Sequence, residues 1–174
     1  MEKREIPDFE RARDFAVRYL GYAPRTCRQL KTKMAEKEFS AEAIEAVVQL
    51  LTDKGYLDDV AFARNYITNK TRYSNYGRRR IVVDLLQRGV SKEDIQAAYE
   101  AVLELDEENN NELEAAKRAL AKRLGRKGID REIREKREKD EEHKERQRLM
   151  AYLMRRGFSY DTAKKAFEED EERS

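Results

Sequence analysis

The stretch IVVDLLQRGVSKEDIQAAY, residues 81–99, predicts a helix, a short turn and a second helix. Gly89 stands where the first helix would end through a left-handed backbone conformation, which glycine adopts without steric cost. Ser91 follows as an N-cap residue, and Glu93 places a carboxylate at the positive end of the second helix's dipole. This order of signals, with apolar residues at helical spacing, predicts an all-α fold.

The same pattern occurs in two other places, which indicates an internal repeat. LKTKMAEKEFSAEAIEAVV (residues 30–48) and LMAYLMRRGFSYDTAKKAF (residues 149–167) carry apolar residues and a capping serine at the same positions. In the first copy, however, Glu38 takes the place of the glycine. Because glutamate adopts a positive φ only at a cost, we expect that turn to differ from the other two.

A further helix precedes each pair, as the alignment of ARDFAVRYLGY (residues 12–22) with ARNYITNKTRY (residues 63–73) indicates. The repeating unit is therefore three helices, which bury too little alone, so we expect successive units to stack into an elongated, curved helical array. The three predicted units span residues 8–54, 58–103 and 106–170. A charged stretch at about 125–147 is interpreted as a solvated helical insertion in the third unit.

Composition supports this fold class and limits the classes of function. Charged residues make up 43% of the chain, with only 7 Gly and 2 Pro, which is typical of amphipathic helices with charged faces. Because 38 basic residues face 36 acidic ones, any attraction to a polyanion must come from local clustering. The sequence shows no secretory signal and no long apolar stretch, and it has a single cysteine, so we expect a soluble, cytoplasmic monomer without a disulfide.

Two adjacent carboxylates, Asp58 and Asp59 in GYLDDVAFARNY (residues 55–66), raise the question of a catalytic or metal-binding site. Both stand at the start of a predicted helix, where one can cap the helix and the other can interact with its dipole. Acid–base or metal chemistry would need further converging ligands, and none recurs nearby at metal spacing. We interpret the pair as helix-capping and keep a catalytic role as the alternative.

The strongest candidate for a binding surface is the segment from Lys70 to Val90, in which six basic residues face a single acidic one. Three consecutive arginines open a predicted helix there, although positive charge at a helix start opposes the helix dipole. The segment is either a solvated face or a surface that contacts phosphates or acidic protein groups. The candidate residues for binding a partner or DNA are Lys70, Arg72, Arg78, Arg79, Arg80 and Arg88.

Motifs for small-molecule chemistry are not evident in the sequence. Cys27 and His143 each lack companions at ligand spacing, so we expect the first to be half-buried and the second to lie on the surface. There is no G-x-x-x-x-G-K-[ST], no G-x-G-x-x-G and no nucleophile elbow. We therefore expect a non-enzymatic protein without a metal or another cofactor.

Three motifs, RYLGYAPRTCRQLKTKM, LTDKGYLDDVAFARNYI and YGRRRIVVDLLQRGVSKEDI, follow one another in an order and spacing that resemble the RecX family. The resemblance is close over residues 9–103 and weaker to about residue 170. It implies tandem three-helix units that lie in the groove of the RecA filament on DNA and restrain its ATP hydrolysis and strand exchange. Such a protein would act in DNA repair, DNA recombination and the SOS response.

The resemblance also carries individual residues, most of which we expect to be structural. The matching positions are Arg25, Thr26, Leu30, Gly55, Leu57, Asp58, Asp59, Phe62, Ala63, Gly77 and Leu85. The alternative function is a stand-alone helical module that binds DNA through the basic segment. DNA contact, directly or within the filament, is compatible with both hypotheses.

Overall fold

The computed structural model describes residues 8–105, 111–125 and 139–171. Across these residues the chain forms nine helices and no strand, which confirms the all-α prediction. The helices are α1 (Asp8–Tyr22), α2 (Cys27–Ala35), α3 (Ala41–Asp53), α4 (Asp59–Arg72), α5 (Arg78–Gln87), α6 (Lys92–Leu105), α7 (Glu112–Gly125), α8 (Lys139–Arg155) and α9 (Tyr160–Glu171). Residues 139–147 of the predicted insertion form the start of α8, and residues 126–138 lie outside the described ranges.

Contacts divide the described residues into two compact units. The first unit contains residues 8–65 and 85–98. The second unit contains residues 66–84, 99–105, 111–125 and 139–171. Helices α4, α5 and α6 each begin in one unit and continue in the other. The boundaries of the three sequence repeats stay a prediction.

The core of the first unit is built by α1, α2 and α3. Ala12 and Ala16, four residues apart on α1, are fully buried, and their small side chains let that helix approach its neighbours closely. Leu30 and Met34 of α2 and Val47 of α3 are also fully buried. Full burial of each such side chain contributes about 1.5 to 3 kcal/mol, so these contacts hold the three helices together.

The core of the second unit is built by α7, α8 and α9 and follows the same design. Ala115 and Ala119 of α7 and Ala163 of α9 are buried where the helices approach each other. Leu153 of α8 and Phe158, which precedes α9, are fully buried among them. The repeated sequence pattern therefore corresponds to a repeated packing pattern.

The predicted serine caps are present in all three copies. The hydroxyl of Ser40 accepts a hydrogen bond from the amide three residues on at 3.3 Å. The hydroxyls of Ser91 and Ser159 accept the equivalent bonds at 3.0 Å each. Each bond satisfies one of the amides that a helix start leaves without a helical partner.

The expectation that the turn at Glu38 differs from the other two was wrong. Glu38 adopts a φ of 60°, in the same left-handed region as Gly89 at 88° and Gly157 at 93°. The amide of Phe39 then donates to the carbonyl of Met34 at 3.4 Å, and the other two copies close the same bond at 3.2 and 3.3 Å. This bond and the packing of Phe39 against the core offset a backbone cost of roughly 1 to 2 kcal/mol.

A close contact between two glycines joins the α4–α5 loop to the α8–α9 turn within the second unit. The amide of Gly77 donates to the carbonyl of Arg156 at 2.9 Å, and the amide of Arg79 donates to the carbonyl of Gly157 at 3.2 Å. A Cβ atom placed on Gly77 would lie 2.4 Å from the backbone of Gly157. Only a residue without a side chain lets the two backbones come this close.

We expect Gly77→Ala to destabilise the protein by about 2 to 3 kcal/mol, because the added methyl group would force the two backbone segments apart. Urea unfolding followed by circular dichroism would measure the loss. Gly21→Ala is the matched control, since its Cβ would meet nothing within 4 Å and alanine favours the helix. Equal stability of the two variants would contradict the role assigned to the glycine contact.

Candidate functional site

The two adjacent aspartates start two different helices of the first unit. Asp58 accepts a hydrogen bond from the amide of Ala61 at 2.8 Å, so it caps α4 as the sequence predicts. Asp59 instead accepts from the amide of Cys27, the first residue of α2, at 2.9 Å. From the sequence we expect both carboxylates to serve the helix that follows them, because the proximity of α2 is not visible in the local sequence.

Thr26 occupies the centre of the same junction and is fully buried. Its hydroxyl accepts a hydrogen bond from the amide of Gln29 at 3.2 Å, and the Gln29 side chain accepts from the amide of Thr26 at 3.2 Å, which forms a capping box. The same hydroxyl donates to the carbonyl of Arg88 at 2.6 Å. One side chain therefore starts α2 and ties it to the end of α5.

The other family-motif residues also have structural surroundings. Arg25 lies 5.0 Å from the ring centre of Tyr19. Gly55 has a φ of 72° in the turn after α3, and Phe62 is half-buried on α4. The motif positions that are buried are Leu30, Leu57, Ala63, Gly77 and Leu85.

A cavity of about 360 Å³ lies beside the aspartate pair. It is lined by Cys27, Thr52, Gly55, Leu57, Asp58, Asp59, Val60 and Asp94. Burial, with a further contribution from the charge of Asp59, raises the pKa of the Cys27 thiol, which disfavours the reactive thiolate. Within the described part of the chain, no group of three or more His, Cys, Asp or Glu side chains is arranged to hold a metal ion.

We expect Asp58→Ala to lower the free energy of unfolding by about 1 kcal/mol, whereas Asp58→Asn should change it little, because asparagine caps almost as well. Asp59→Ala should also lose about 1 kcal/mol through the unpaired amide at the start of α2. The exposed Asp14 supplies the control, since Asp14→Ala should stay within about 0.5 kcal/mol. Urea denaturation of the four variants would test this, and a bound divalent ion at the pair would contradict it.

Asp59 also predicts a pH dependence. Burial raises the pKa of its carboxyl above the ordinary value of 3.8, even though the hydrogen bond from Cys27 lowers it in part. Ionisation of this group therefore opposes folding. The protonated carboxyl stabilises the folded state fully below the unfolded pKa, and this stabilisation is lost as pH rises through the folded pKa. Asp59→Asn cannot ionise, so its stability relative to wild type should rise between about pH 4 and pH 7. Unfolding at both pH values is the measurement, and a relative loss at neutral pH would contradict it.

The basic candidate residues divide between the two units. Lys70, Arg72 and the three arginines that open α5 belong to the second unit, whereas Arg88 belongs to the first. Arg78, Arg79 and Arg80 are exposed. The guanidinium of Arg78 lies 4.3 Å from the ring centre of Tyr99 within the second unit. The basic residues at 70–80 can therefore act on one partner from a single compact unit.

Two backbone amides at the start of α5 already have hydrogen-bond partners. The amide of Arg78 donates to the carboxylate of Glu112 at 3.1 Å, and the amide of Arg79 donates to the carbonyl of Gly157 at 3.2 Å. A helix start with unoccupied amides would itself attract an anion. Because the Glu112 carboxylate and the Gly157 carbonyl offset the positive end of α5, attraction for an anion must come mainly from the arginine side chains.

The structure adds residues that the sequence analysis did not identify. Lys70, Arg80 and Arg156 surround the ring of Tyr76, with their charged ends 5.6, 4.0 and 5.0 Å from its centre. We call these four residues the Tyr76 cluster. Arg156 stands too far along the chain from Tyr76 for any spacing rule to connect them. The only sequence feature that could have suggested a role for Arg156 is its position next to Gly157 in the third repeat.

Cys27 is half-buried and His143 is exposed, as expected from their sequence contexts. The His143 ring lies 2.9 Å from the side-chain nitrogen of Gln147, one turn along α8. Among the helices that the structure describes, none is long and apolar enough to cross a membrane. The basic residues at 70–80 of the second unit are the candidate functional site, because they are clustered on one compact unit and three of them are exposed.

Comparison with known families places three matches along the chain. Residues 12–51 match the model described as RecX, first three-helix domain. Residues 58–98 match the second three-helix domain, and residues 131–167 match the third. The three matches follow the order of the sequence repeats.

Individual relatives give the same result. The chain is 33% identical to the regulatory protein RecX of Finegoldia magna, over 91% of this chain and 71% of that protein. It is 36% identical to the regulatory protein RecX of Lactobacillus delbrueckii over 71% of this chain, and it spans 45% of that relative's length. The crystal structure of RecX from Lactobacillus salivarius has a TM-score of 0.75 at 20% identity, over 93% of this chain and 96% of that chain. At this identity the structural similarity shows the fold alone.

Proposed function

Because this chain belongs to the RecX family of regulatory proteins, we propose that it binds the RecA filament on DNA and restrains its ATP hydrolysis and strand exchange. The observation that carries the proposal is the match of all three family domains in order along one chain. The protein would act in DNA repair, DNA recombination and the SOS response in the cytoplasm.

The proposed role is regulatory rather than enzymatic. The two aspartates, which were the strongest candidates for catalysis, accept hydrogen bonds from the amides of Ala61 and Cys27 at helix starts. Burial and the neighbouring carboxylate favour the neutral thiol of Cys27 by raising its pKa. The relatives are themselves named regulatory proteins. RecA would supply the ATP hydrolysis, and this chain would alter its rate by binding.

We further propose that the exposed arginines at the start of α5 contact the filament. Arg78, Arg79 and Arg80 are adjacent and exposed, and Arg80 shares the ring of Tyr76 with Lys70. A RecA filament on DNA presents many negative charges along its length, and complementary charge raises the association rate and selects the orientation of binding. Lys70, Arg72 and Arg88 extend the candidate set, and their direct contact with the filament is part of this proposal.

The test is inhibition of RecA's DNA-dependent ATP hydrolysis by wild type and by the triple variant Arg78→Glu, Arg79→Glu and Arg80→Glu. Three attractive charges become repulsive, so the half-inhibitory concentration should rise by about tenfold or more at low salt. The rise should be smaller at high salt, because salt screens the interaction. Helicity should change little, since glutamate favours the first turn of a helix.

A matched control separates this surface from overall charge. Lys37, Lys54 and Lys92 are exposed residues of the first unit, and their replacement by glutamate changes the net charge by the same amount. We expect that variant to inhibit nearly as wild type does. If the arginine variant inhibits as strongly as wild type, these arginines do not contact the filament. If the wild-type protein has no effect on RecA, the proposed function itself is wrong.

A further inference from the structure

The Tyr76 cluster brings three positive charges from separate elements to one aromatic ring. Lys70 lies near the end of α4, Arg80 in the first turn of α5, and Arg156 directly after α8. The negative face of an aromatic ring attracts a cation. Tyr76 therefore positions cations that would otherwise repel one another.

The cluster continues onto a second ring of the same unit. Arg156 also lies 5.6 Å from the ring centre of Tyr152, and Arg123 lies 5.6 Å from that ring as well. Two tyrosines thus hold four cations, counting Lys70 and Arg80. Interleaved cations and aromatic rings are typical of surfaces that bind single-stranded nucleic acid.

Within the described part of the chain, these four cations have no carboxylate partner at ion-pair distance. Asp84 stands one helical turn after Arg80, where it could form a pair, yet its carboxylate accepts a hydrogen bond from the hydroxyl of Tyr66 at 3.1 Å. The chain has 36 acidic residues, so the lack of pairing here is a local property of the surface. An external anion would relieve the repulsion among the four charges.

The loop that carries Tyr76 is held in place by two arginines. Arg156 donates through Nε to the carbonyl of Asn75 at 2.8 Å and through Nη2 to the carbonyl of Ser74. Arg118 donates to the Asn75 side chain at 3.1 Å and to the carbonyl of Thr71 at 3.2 Å. Because the loop is fixed before binding, little ordering would be needed when a ligand arrives.

The same loop presents an exposed aromatic ring. Tyr73 is 76% exposed, and its backbone amide donates to the carbonyl of Asn69 at 3.0 Å. A tyrosine ring can stack on any base, because every base has a π-face. Tyr73 can therefore form a stacking contact with a base, which a phosphate or a carboxylate without an aromatic ring cannot form.

We propose that the Tyr76 cluster, with Arg123 and Tyr73, binds single-stranded nucleic acid directly. Lys70, Arg80 and Arg123 attract the phosphates, Tyr73 stacks on a base, and Tyr76 is the positioning residue that holds the cations together. The exposed ring of Tyr73, on the same loop as Tyr76, favours a nucleic acid over an acidic protein surface. This inference rests on the proposed function and deepens it, because it names the ligand that one surface of the regulator contacts.

The test measures binding of a fluorescein-labelled oligothymidylate to the full chain by fluorescence anisotropy, without RecA. Tyr76→Phe retains the ring and should bind as wild type does. Tyr76→Leu removes it and should bind about tenfold more weakly with a shallower salt dependence, because fewer phosphates are neutralised together. Arg80→Gln is an exposed change that should fold normally and should reduce the slope of log K against log salt by about 0.7.

A second arm separates nucleic acid from acidic protein. Tyr73→Ala should weaken oligothymidylate binding about tenfold, whereas Tyr22→Ala, a change at another highly exposed tyrosine in the first unit, should not. Polyglutamate is the competing ligand, and its binding should be weaker than that of oligothymidylate and should not respond to Tyr73→Ala. Circular dichroism of each variant confirms that it is folded.

Three results would overturn the inference. The first is unchanged affinity and salt slope in folded Tyr76→Leu and Arg80→Gln. The second is polyglutamate binding as tight as that of oligothymidylate with no effect of Tyr73→Ala, which would identify a surface for acidic protein. The third is no binding of oligothymidylate by a wild-type protein that still inhibits RecA, which would leave the proposed function intact.

Discussion

The close contact between Gly77 and Gly157 constrains the whole candidate surface of the second unit. Because a Cβ atom at Gly77 would lie 2.4 Å from the backbone of Gly157, the α4–α5 loop and the α8–α9 turn can meet only without side chains at these positions. The contact places Arg156 beside Tyr76 and fixes the direction in which α5 leaves the loop. A packing constraint between two backbones thus determines where the charges of the surface lie.

The first unit depends on a different kind of constraint, which is the sharing of caps between helices. Asp59 belongs to α4, but its carboxylate accepts a hydrogen bond from the first amide of α2. Thr26 starts α2, and its hydroxyl donates to the carbonyl of Arg88, which directly follows α5. The start of α2 and the end of α5 are therefore each completed by a residue of a neighbouring element. This explains why the motif GYLDD ends in two carboxylates, since each accepts a hydrogen bond from an amide at a helix start.

Electrostatics connects the two structural constraints to function. The amides of Arg78 and Arg79 at the start of α5 donate to Glu112 and Gly157. These two amides are therefore not available to bind an anion. The charged ends of Lys70 and Arg80 lie at the ring of Tyr76. They are positioned by attraction to the face of this ring rather than by ion pairs with carboxylates. In the proposed function, such a surface would keep its charge available to a partner, at the cost of repulsion within the free protein.

The sequence by itself determined the helices, the serine caps, the all-α class and the cap at Asp58, because these depend on residues within a few positions of each other. It also indicated the basic segment, since charge clustering along the chain is directly visible. Only the tertiary structure decided which helix Asp59 serves, that Glu38 takes a left-handed conformation, and that Arg156 meets Tyr76. These features arise from contacts between residues distant in the chain, and their energies depend on how the helices pack rather than on local preference.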